Sequence, residues 1–285
     1  MERRTQHALI GAGAIVAVLP LIYLAAFRID AIHQLDARIL RGFGNLNSER
    51  VHPVAEFIAT LCNPDKFVWF VAAIVTVALL RRRPRTAAAV AIVLLGANVT
   101  TQLLKPALAD DRSSPLLTGI ANVLPASWPS GHATASMSIA LCAVLVAPAR
   151  LRPWVAALGA VFAVGVTFSF LTLGWHYPSD VLGGFLVATA WTLVAFAALS
   201  WAQARWPLRA ADAKGGGAQP PLRETLAPAG VAAACGALLA AMLLLARPAQ
   251  VVAYAEAHTQ FVFGAGALAT VALALAAAFS VLTRR

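Results

Sequence analysis

Apolar runs close to 20 residues long recur along the whole chain. A helix of about 20 predominantly apolar residues spans the hydrocarbon core of a bilayer. The chain is 60% hydrophobic and only 12% charged, whereas a soluble domain carries about 25% charged residues. We therefore expect an all-α, polytopic membrane helical bundle.

Eight apolar runs fit this description, and we predict a membrane-spanning helix in each. The predicted spans are Ala8–Phe27, Phe67–Leu80, Ala87–Leu104, Ala133–Ala147, Trp154–Leu173, Val181–Trp201, Leu226–Ala246 and Phe261–Leu282. The second and fourth runs are short for a span, so we expect their helices to extend a few residues further. No small-residue cleavage site follows the first run before Arg28, and we expect a retained span rather than a cleaved signal peptide.

The basic residues are distributed unevenly over the two sides of these spans. When the N-terminus is placed in the cytoplasm, every short cytoplasmic connection is basic, as the positive-inside rule requires. The cytoplasmic set is Arg3, Arg4, Arg81, Arg82, Arg83, Arg85, Arg150, Arg152, Arg205, Arg209, Lys214, Arg223, Arg284 and Arg285. We predict a multi-pass protein of a bacterial-type inner (plasma) membrane, with both termini cytoplasmic. The net charge of +10 then reflects topology and contact with anionic lipids, and nucleic-acid binding is disfavoured.

Composition divides the chain into three parts. Residues 1–201 contain six spans and, within 28–66, a segment of mixed charge that we predict as helical and interfacial on the outer side. Residues 202–224 include a triple glycine and a double proline, which predicts a cytoplasmic linker. Residues 225–285 form an extension with two Ala-rich spans and no residues of distinctive chemistry.

His176 begins the sequence His176-Tyr177-Pro178-Ser179-Asp180 at the start of a predicted span. Pro178 suits the first turn of a helix, so Asp180 lies about one turn after His176 and can accept a hydrogen bond from the ring. Such a bond fixes the tautomer and leaves the other ring nitrogen free as a nucleophile. The alternative is an ordinary polar helix start, in which Asp180 only favours the helix dipole.

His132 follows Ser130-Gly131 where another span begins. Serine is a good N-cap and glycine allows close backbone approach, so the exposed N–H groups can form a phosphate cradle. A histidine beside that cradle can protonate a departing alkoxide as a general acid. The alternative is a Pro-Ser-Gly turn that merely opens a helix.

Lys105 and Arg112 lie on either side of a short segment that follows a predicted span. Arginine offers a planar fork for phosphoryl oxygens and lysine a point charge. The alternative is snorkelling of cations at a membrane edge. With the predicted orientation, both cations fall on the outer face together with His132, His176 and Asp180.

This combination resembles the type 2 phosphatidic acid phosphatase family, whose motifs are K-x6-R-P, P-S-G-H and S-R-x5-H-x3-D. The corresponding residues begin at Lys105, Pro129 and Ser169, with the same internal spacing. The resemblance covers about residues 1–201. Ser113 replaces a proline of the first motif, and Phe170 replaces an arginine that contacts phosphate in the family. Loss of one charge-assisted donor can cost roughly 100- to 1,000-fold in rate.

The resemblance implies a metal-independent phosphatase without a cofactor that acts on a lipid phosphate or diphosphate at the outer face. It implies attack by His176 on phosphorus, orientation of His176 by Asp180, and proton transfer by His132. Lys105, Arg112 and the backbone N–H groups of Ser130 and Gly131 would hold the phosphoryl oxygens. The three cysteines are scattered, with no metal-ligand spacing. The alternatives are a lipid phosphotransferase and, because of Phe170, a non-catalytic lipid-binding homologue.

Overall fold

The computed structural model describes residues 3–207 and 221–284, and helices dominate both ranges. The helices are α1 (Arg3–Arg28), α2 (Asp30–Gly44), α3 (His52–Ala59), α4 (Pro64–Leu80), α5 (Pro84–Ala107), α6 (Gly131–Val146), α7 (Arg152–Thr172), α8 (Pro178–Arg205), α9 (Leu222–Ala246), α10 (Pro248–Ala257) and α11 (Thr259–Leu282). Short 3-10 turns occur at Thr60–Cys62 and Pro115–Leu117. Most of the predicted linker at 202–224 lies outside the described residues.

Within the described ranges, six helices are long and apolar enough to cross a membrane, namely α1, α5, α7, α8, α9 and α11. A seventh crossing is possible if α3 and α4, which meet at an angle of 53°, form one broken span. The predicted spans at 67–80 and 133–147 coincide with α4 and α6, which remain shorter than the rest. The chain therefore folds as the expected all-α membrane bundle.

Helix α6 is short because it lies at the centre of the bundle. Its 16 residues extend only about 24 Å at 1.5 Å per residue, less than the ~30 Å hydrocarbon core. Neighbouring helices α5, α7 and α8 surround it, and nearly all its side chains are buried. A helix that faces protein rather than lipid does not need a full apolar span. Its buried hydroxyls, such as Thr134 and Ser138, donate to carbonyl oxygens of the same helix or its cap.

Close packing between α6 and α8 depends on a pair of glycines. A Cβ atom added to Gly184 would lie 2.5 Å from the carbonyl oxygen of Ser130, and one added to Gly183 would lie 2.9 Å from the Trp128 indole. Such contacts are too short for any side chain. The first turns of α6 and α8 can therefore approach each other, and both turns carry predicted site residues.

Helix α2 lies against the bundle through one buried stripe of residues, which includes Asp36, Ile39, Leu40 and Phe43. The predicted interfacial segment thus contains one helix that docks on the core, followed by α3 and the start of α4. On the same helix, Ile32 and Leu35 are 38% and 41% exposed. The C-terminal helix α11 packs on α7 and on α2, while α9 is exposed along nearly its whole length.

Candidate active site

The predicted site residues meet at one end of the bundle. This end is formed by the last turn of α5 and the first turns of α6 and α8. The ring centroids of His132 and His176 are 6.4 Å apart. Lys105 lies beside Gly131, because a Cβ atom built on that glycine would be 3.9 Å from the lysine Nζ. The fold thus assembles groups from three separate segments of the sequence into one cluster.

His176 and Asp180 are paired in the geometry that their spacing suggests. The Nδ1 of His176 lies 3.3 Å from the Oδ2 of Asp180. The same carboxylate oxygen accepts the backbone N–H of Tyr177 at 3.0 Å, and Asp180 is completely buried. A histidine that donates from Nδ1 keeps a lone pair on Nε2. The nitrogen available for attack on an electrophile is therefore Nε2.

Arg112 is held between two aromatic rings. Its guanidinium carbon lies 4.0 Å from the ring centroid of Phe27 and 4.3 Å from that of Tyr177. Arginine stacks well in such a slot because the guanidinium is planar and weakly hydrated. Burial raises the pKa of the Tyr177 phenol to about 12, so the hydroxyl stays protonated and donates to the Arg112 carbonyl oxygen. Tyr177 therefore holds both the side chain and the backbone of Arg112.

The terminal nitrogens of Arg112 donate to protein acceptors. Nη1 donates to the Ser179 hydroxyl at 2.9 Å and Nη2 to the Ser127 hydroxyl at 3.1 Å. Nη2 also forms an ion pair with the second carboxylate oxygen of Asp180. The sequence predicted Arg112 as a direct phosphate ligand. In the structure the guanidinium is oriented chiefly by Asp180 and its neighbours, which links the cation to the carboxylate that holds His176.

The Ser-Gly turn differs in one respect from its prediction. Ser130 caps α6, since its hydroxyl accepts the N–H of Ala133 at 3.3 Å. Its own N–H donates to the carbonyl oxygen of Asp180 at 2.9 Å, so this N–H is not available to a phosphate. This N–H is occupied because it forms the hydrogen bond that connects the start of α6 to α8. The first-turn N–H groups of Gly131 and His132 have no acceptor within the helix, and these are the donors that remain.

His132 has a polar partner that the sequence did not indicate. Its Nε2 donates to the Oδ1 of Asn63 at 2.9 Å. Asn63 lies at the break between α3 and α4, immediately before Pro64. A histidine bonded in this way through Nε2 uses Nδ1 for any further proton transfer. No motif or periodicity marks Asn63, and only the long-range contact reveals it.

The position of Phe170 lies beside both histidines. Its fully buried ring is 5.3 Å from His176 and 5.8 Å from His132, between ring centroids. The ring of Trp175 lies 5.5 Å from His132. An apolar, aromatic wall therefore stands at the position where the family motif has an arginine. The charge at this end of the cluster comes from Lys105 and Arg112.

Asp36 is a second residue of the cluster that no sequence motif marks. It is 5% exposed and contacts Arg112 and Ser179 from α2. In residues 3–207 and 221–284, no group of three or more His, Cys, Asp or Glu side chains is arranged to hold a metal ion. The cluster consists instead of two imidazoles, two carboxylates, two cations and helix N–H groups, a set of donors and charges suited to a phosphoryl group.

Comparison with known proteins adds two findings. Residues 86–204 match the family profile described as the PAP2 superfamily. The fold is similar to the crystal structure of a transmembrane PAP2-type phosphatidylglycerolphosphate phosphatase from Bacillus subtilis, with a TM-score of 0.55 and 19% sequence identity. That similarity covers 70% of this chain and 98% of the other. No curated protein matches the sequence.

Proposed function

We propose that this chain is a membrane phosphatase of the type 2 phosphatidic acid phosphatase family, and that it hydrolyses a lipid phosphate or diphosphate through a phosphohistidine. The match of residues 86–204 to the PAP2 superfamily profile supports the family, and the structural similarity supports the fold. The observation that carries the proposal is the pairing of His176 with Asp180 at 3.3 Å, with His132 at a ring distance of 6.4 Å. A phosphorus atom between the two imidazoles can meet a nucleophile on one side and a proton donor on the other.

In the first step, Nε2 of His176 attacks phosphorus and the bond from phosphorus to the leaving oxygen breaks. Asp180 stabilises the positive charge that develops on the imidazole, as an orienting carboxylate does in other nucleophile–base pairs. Protonated His132 gives its proton to the departing oxygen. The products of this half-reaction are an alcohol, or a lipid monophosphate from a diphosphate, and a phosphorylated His176.

In the second step, neutral His132 takes a proton from water while the water oxygen attacks phosphorus. The bond between phosphorus and Nε2 breaks, and inorganic phosphate leaves. His132 is then protonated and His176 is neutral, so the cycle closes without any other reactant. No step calls on a metal ion, and we propose that activity persists in excess chelator.

The spread charge of a phosphoryl transition state requires fixed positive groups around the equatorial oxygens. Lys105, beside Gly131, supplies an ammonium group, and the first-turn N–H groups of α6 supply oriented donors. Arg112 contributes a buried positive charge that is held in place by Asp180. Its stacking between Phe27 and Tyr177 keeps the planar group from rotating away.

The location of the site suggests its substrate class and its side of the membrane. The opposite end of the bundle is rich in arginine, and Arg83, Arg85 and Arg152 there donate to carbonyl oxygens of Leu145, Trp206 and Thr283. By the positive-inside rule the arginine-rich end is cytoplasmic. The site then faces the outer, periplasmic side of an inner membrane, where the head group of a lipid reaches it while the acyl or prenyl chains remain in the bilayer.

The direct test is phosphate release by the full-length protein in detergent from phosphatidic acid, phosphatidylglycerol phosphate and a polyprenyl diphosphate, with chelator present. We expect release of inorganic phosphate from at least one of the three. A labelled phosphoryl group that appears on a second lipid without free phosphate would identify a phosphotransferase instead. Binding of these lipids without any turnover would overturn the proposal and favour a non-catalytic homologue.

A change at Asn63 tests the role of His132. In Asn63→Ala the imidazole loses the acceptor of its Nε2–H, and its orientation is no longer fixed. Loss of one positioning hydrogen bond of about 1 kcal/mol corresponds to a decrease in kcat of roughly 5-fold. The assay is phosphate release under saturating lipid. Asn98→Ala removes an amide that donates to the Leu94 carbonyl oxygen within its own helix, and it serves as the matched control. Equal activity of the two variants would contradict a function for the Asn63 contact.

A further inference from the structure

Asp36 brings a buried acidic group to the site from outside the region that matches the family profile. Its Oδ1 accepts the backbone N–H of Ser179 at 3.1 Å, and the Ser179 hydroxyl donates to its Oδ2. The Nη1 of Arg112 lies 3.5 Å from the same Oδ2. A buried carboxylate is tolerated only where hydrogen bonds and opposite charge replace its lost hydration. These contacts supply both, and all of them involve the neighbourhood of Asp180.

The contacts of Asp36 lie one step away from the reacting groups. Ser179 directly precedes Asp180 in the first turn of α8, and Arg112 forms an ion pair with Asp180. Asp180 in turn holds His176. An acid at position 36 therefore fixes two neighbours of the residue that orients the nucleophile, without touching the nucleophile itself.

The other end of the buried stripe of α2 is packed against the C-terminal extension. A Cβ atom added to Gly42 would lie 2.3 Å from Cβ of Phe261, and one added to Gly264 would lie 2.7 Å from Cγ2 of Ile39. The Tyr254 hydroxyl donates to the carbonyl oxygen of Gly42. Helix α2 is thus held between α10 and α11 on one side and the site on the other.

We propose that Asp36 is a positioning residue for the phosphoryl-transfer site, and that α10 and α11 keep it in place by clamping α2. The inference rests on the proposed phosphatase function. It assigns a role to a helix outside the matched region and to the two-span extension, for which the sequence suggested none. The line of contact runs from α11 through α2 to Arg112 and the first turn of α8.

The titration of Asp36 provides a signature that packing alone would not give. Burial raises its pKa to about 7, against the opposing effects of the Ser179 hydrogen bond and the Arg112 charge. Above this pH the carboxyl is ionised and attracts Arg112, and below it the carboxyl is neutral. The other titratable or charged groups nearby are Asp180, His176 and Tyr177 at the start of α8 and His33 on α2 itself. Helices α7 and α11 present the aromatic rings of Phe168 and Phe261 to α2.

The first experiment compares Asp36→Asn with Asp30→Asn, which removes an exposed acid from the same helix. At about pH 8 we expect Asp36→Asn to lose roughly 10-fold in kcat, with little change in KM, because a charge-assisted contact is removed. At about pH 6 the wild-type carboxyl is itself neutral, so the two activities should converge. Asp30→Asn should follow the wild type at both values.

Several results would overturn the inference. A constant ratio of Asp36→Asn to wild-type activity across this pH range would mean that the charge has no positioning role. Failure of Asp36→Asn to fold at about pH 6 would also contradict it, because the wild-type side chain is uncharged there. If the wild type itself releases no phosphate from any lipid tested, the proposed function fails before this inference is addressed.

The second experiment tests the clamp with two glycines of α11 that differ by only two positions. Gly264→Leu forces a side chain into Ile39 of α2, whereas nothing lies within 4 Å of a Cβ atom at Gly266. We expect Gly264→Leu to lower kcat several-fold at about pH 8 and to approach the wild-type activity at about pH 6, the same pattern that we expect for Asp36→Asn. Gly266→Leu should behave as wild type. Equal activity of the two leucine variants would show that the extension does not hold α2 for catalysis.

Discussion

Replacement of His176 by alanine is expected to abolish phosphate release, with a decrease in kcat of roughly 10⁴-fold or more. The physical reason is that Nε2 of this histidine, with Nδ1 fixed by Asp180 at 3.3 Å, is the proposed nucleophile. Without it, phosphoryl transfer to the protein cannot occur. One measurement is phosphate release. The other detects label on the protein after reaction with a lipid that carries a labelled phosphoryl group, with the reaction quenched in acid or in alkali. The label should stay on the wild-type protein in alkali and be lost in acid.

His52→Ala provides a matched control, because this exposed histidine forms a hydrogen bond with Asn47, in the connection between α2 and α3. It should retain wild-type activity and wild-type labelling. If His176→Ala were to release phosphate at a rate within 10-fold of the wild type, a phosphohistidine on this residue would be ruled out. The cluster would then need another nucleophile.

Replacement of Asp180 by asparagine is the second large effect, with an expected decrease in kcat of about 10³- to 10⁴-fold. An amide can donate to Nδ1 of His176, which stabilises the tautomer that carries its proton on Nε2 and so blocks the attack. The change also removes the carboxylate that pairs with Arg112. Kinetics at saturating substrate and a thermal unfolding curve in detergent are sufficient to measure this effect.

Asp110→Asn changes an acid whose side chain forms a surface ion pair with Arg28, at 3.3 Å, and should leave kcat unchanged. The comparison separates loss of a single negative charge near the site from loss of the orienting carboxylate. A decrease of less than threefold in Asp180→Asn would show that His176 does not depend on this partner.

Six of the eight predicted spans are helices long and apolar enough to cross a membrane in the described residues, and they were predictable because a membrane imposes one simple requirement on sequence. Every predicted span overlaps a helix, since a run of apolar residues that long has few alternatives. The length of α6 was not predictable in the same way. Helix α6 is surrounded by protein rather than lipid, and its own sequence does not indicate which helices pack around it. The break between α3 and α4 was also not predictable from the apolar pattern. It lies at Asn63-Pro64, where the Asn63 side chain contacts His132.

The motif residues could be proposed from the sequence because their spacing within each segment is local. His176 and Asp180 are four residues apart, so a single turn determines their contact. Asp36 and Asn63 reach the same site through contacts across 143 and 69 positions of the chain, and no local pattern encodes such pairs. The same limit applies to Ser130, because the local sequence does not indicate that its N–H donates to the carbonyl oxygen of Asp180 on α8.

The contact between α11 and α2 limits how far this protein can be reduced. A chain truncated after α8 would still contain every motif residue, yet it would leave Ile39, Gly42 and Phe43 without the surface that now covers them. We therefore do not expect the part of this chain from α1 to α8 to work as a portable module, and a minimal enzyme made from it would need a redesigned surface on the side of α2 that α11 now covers.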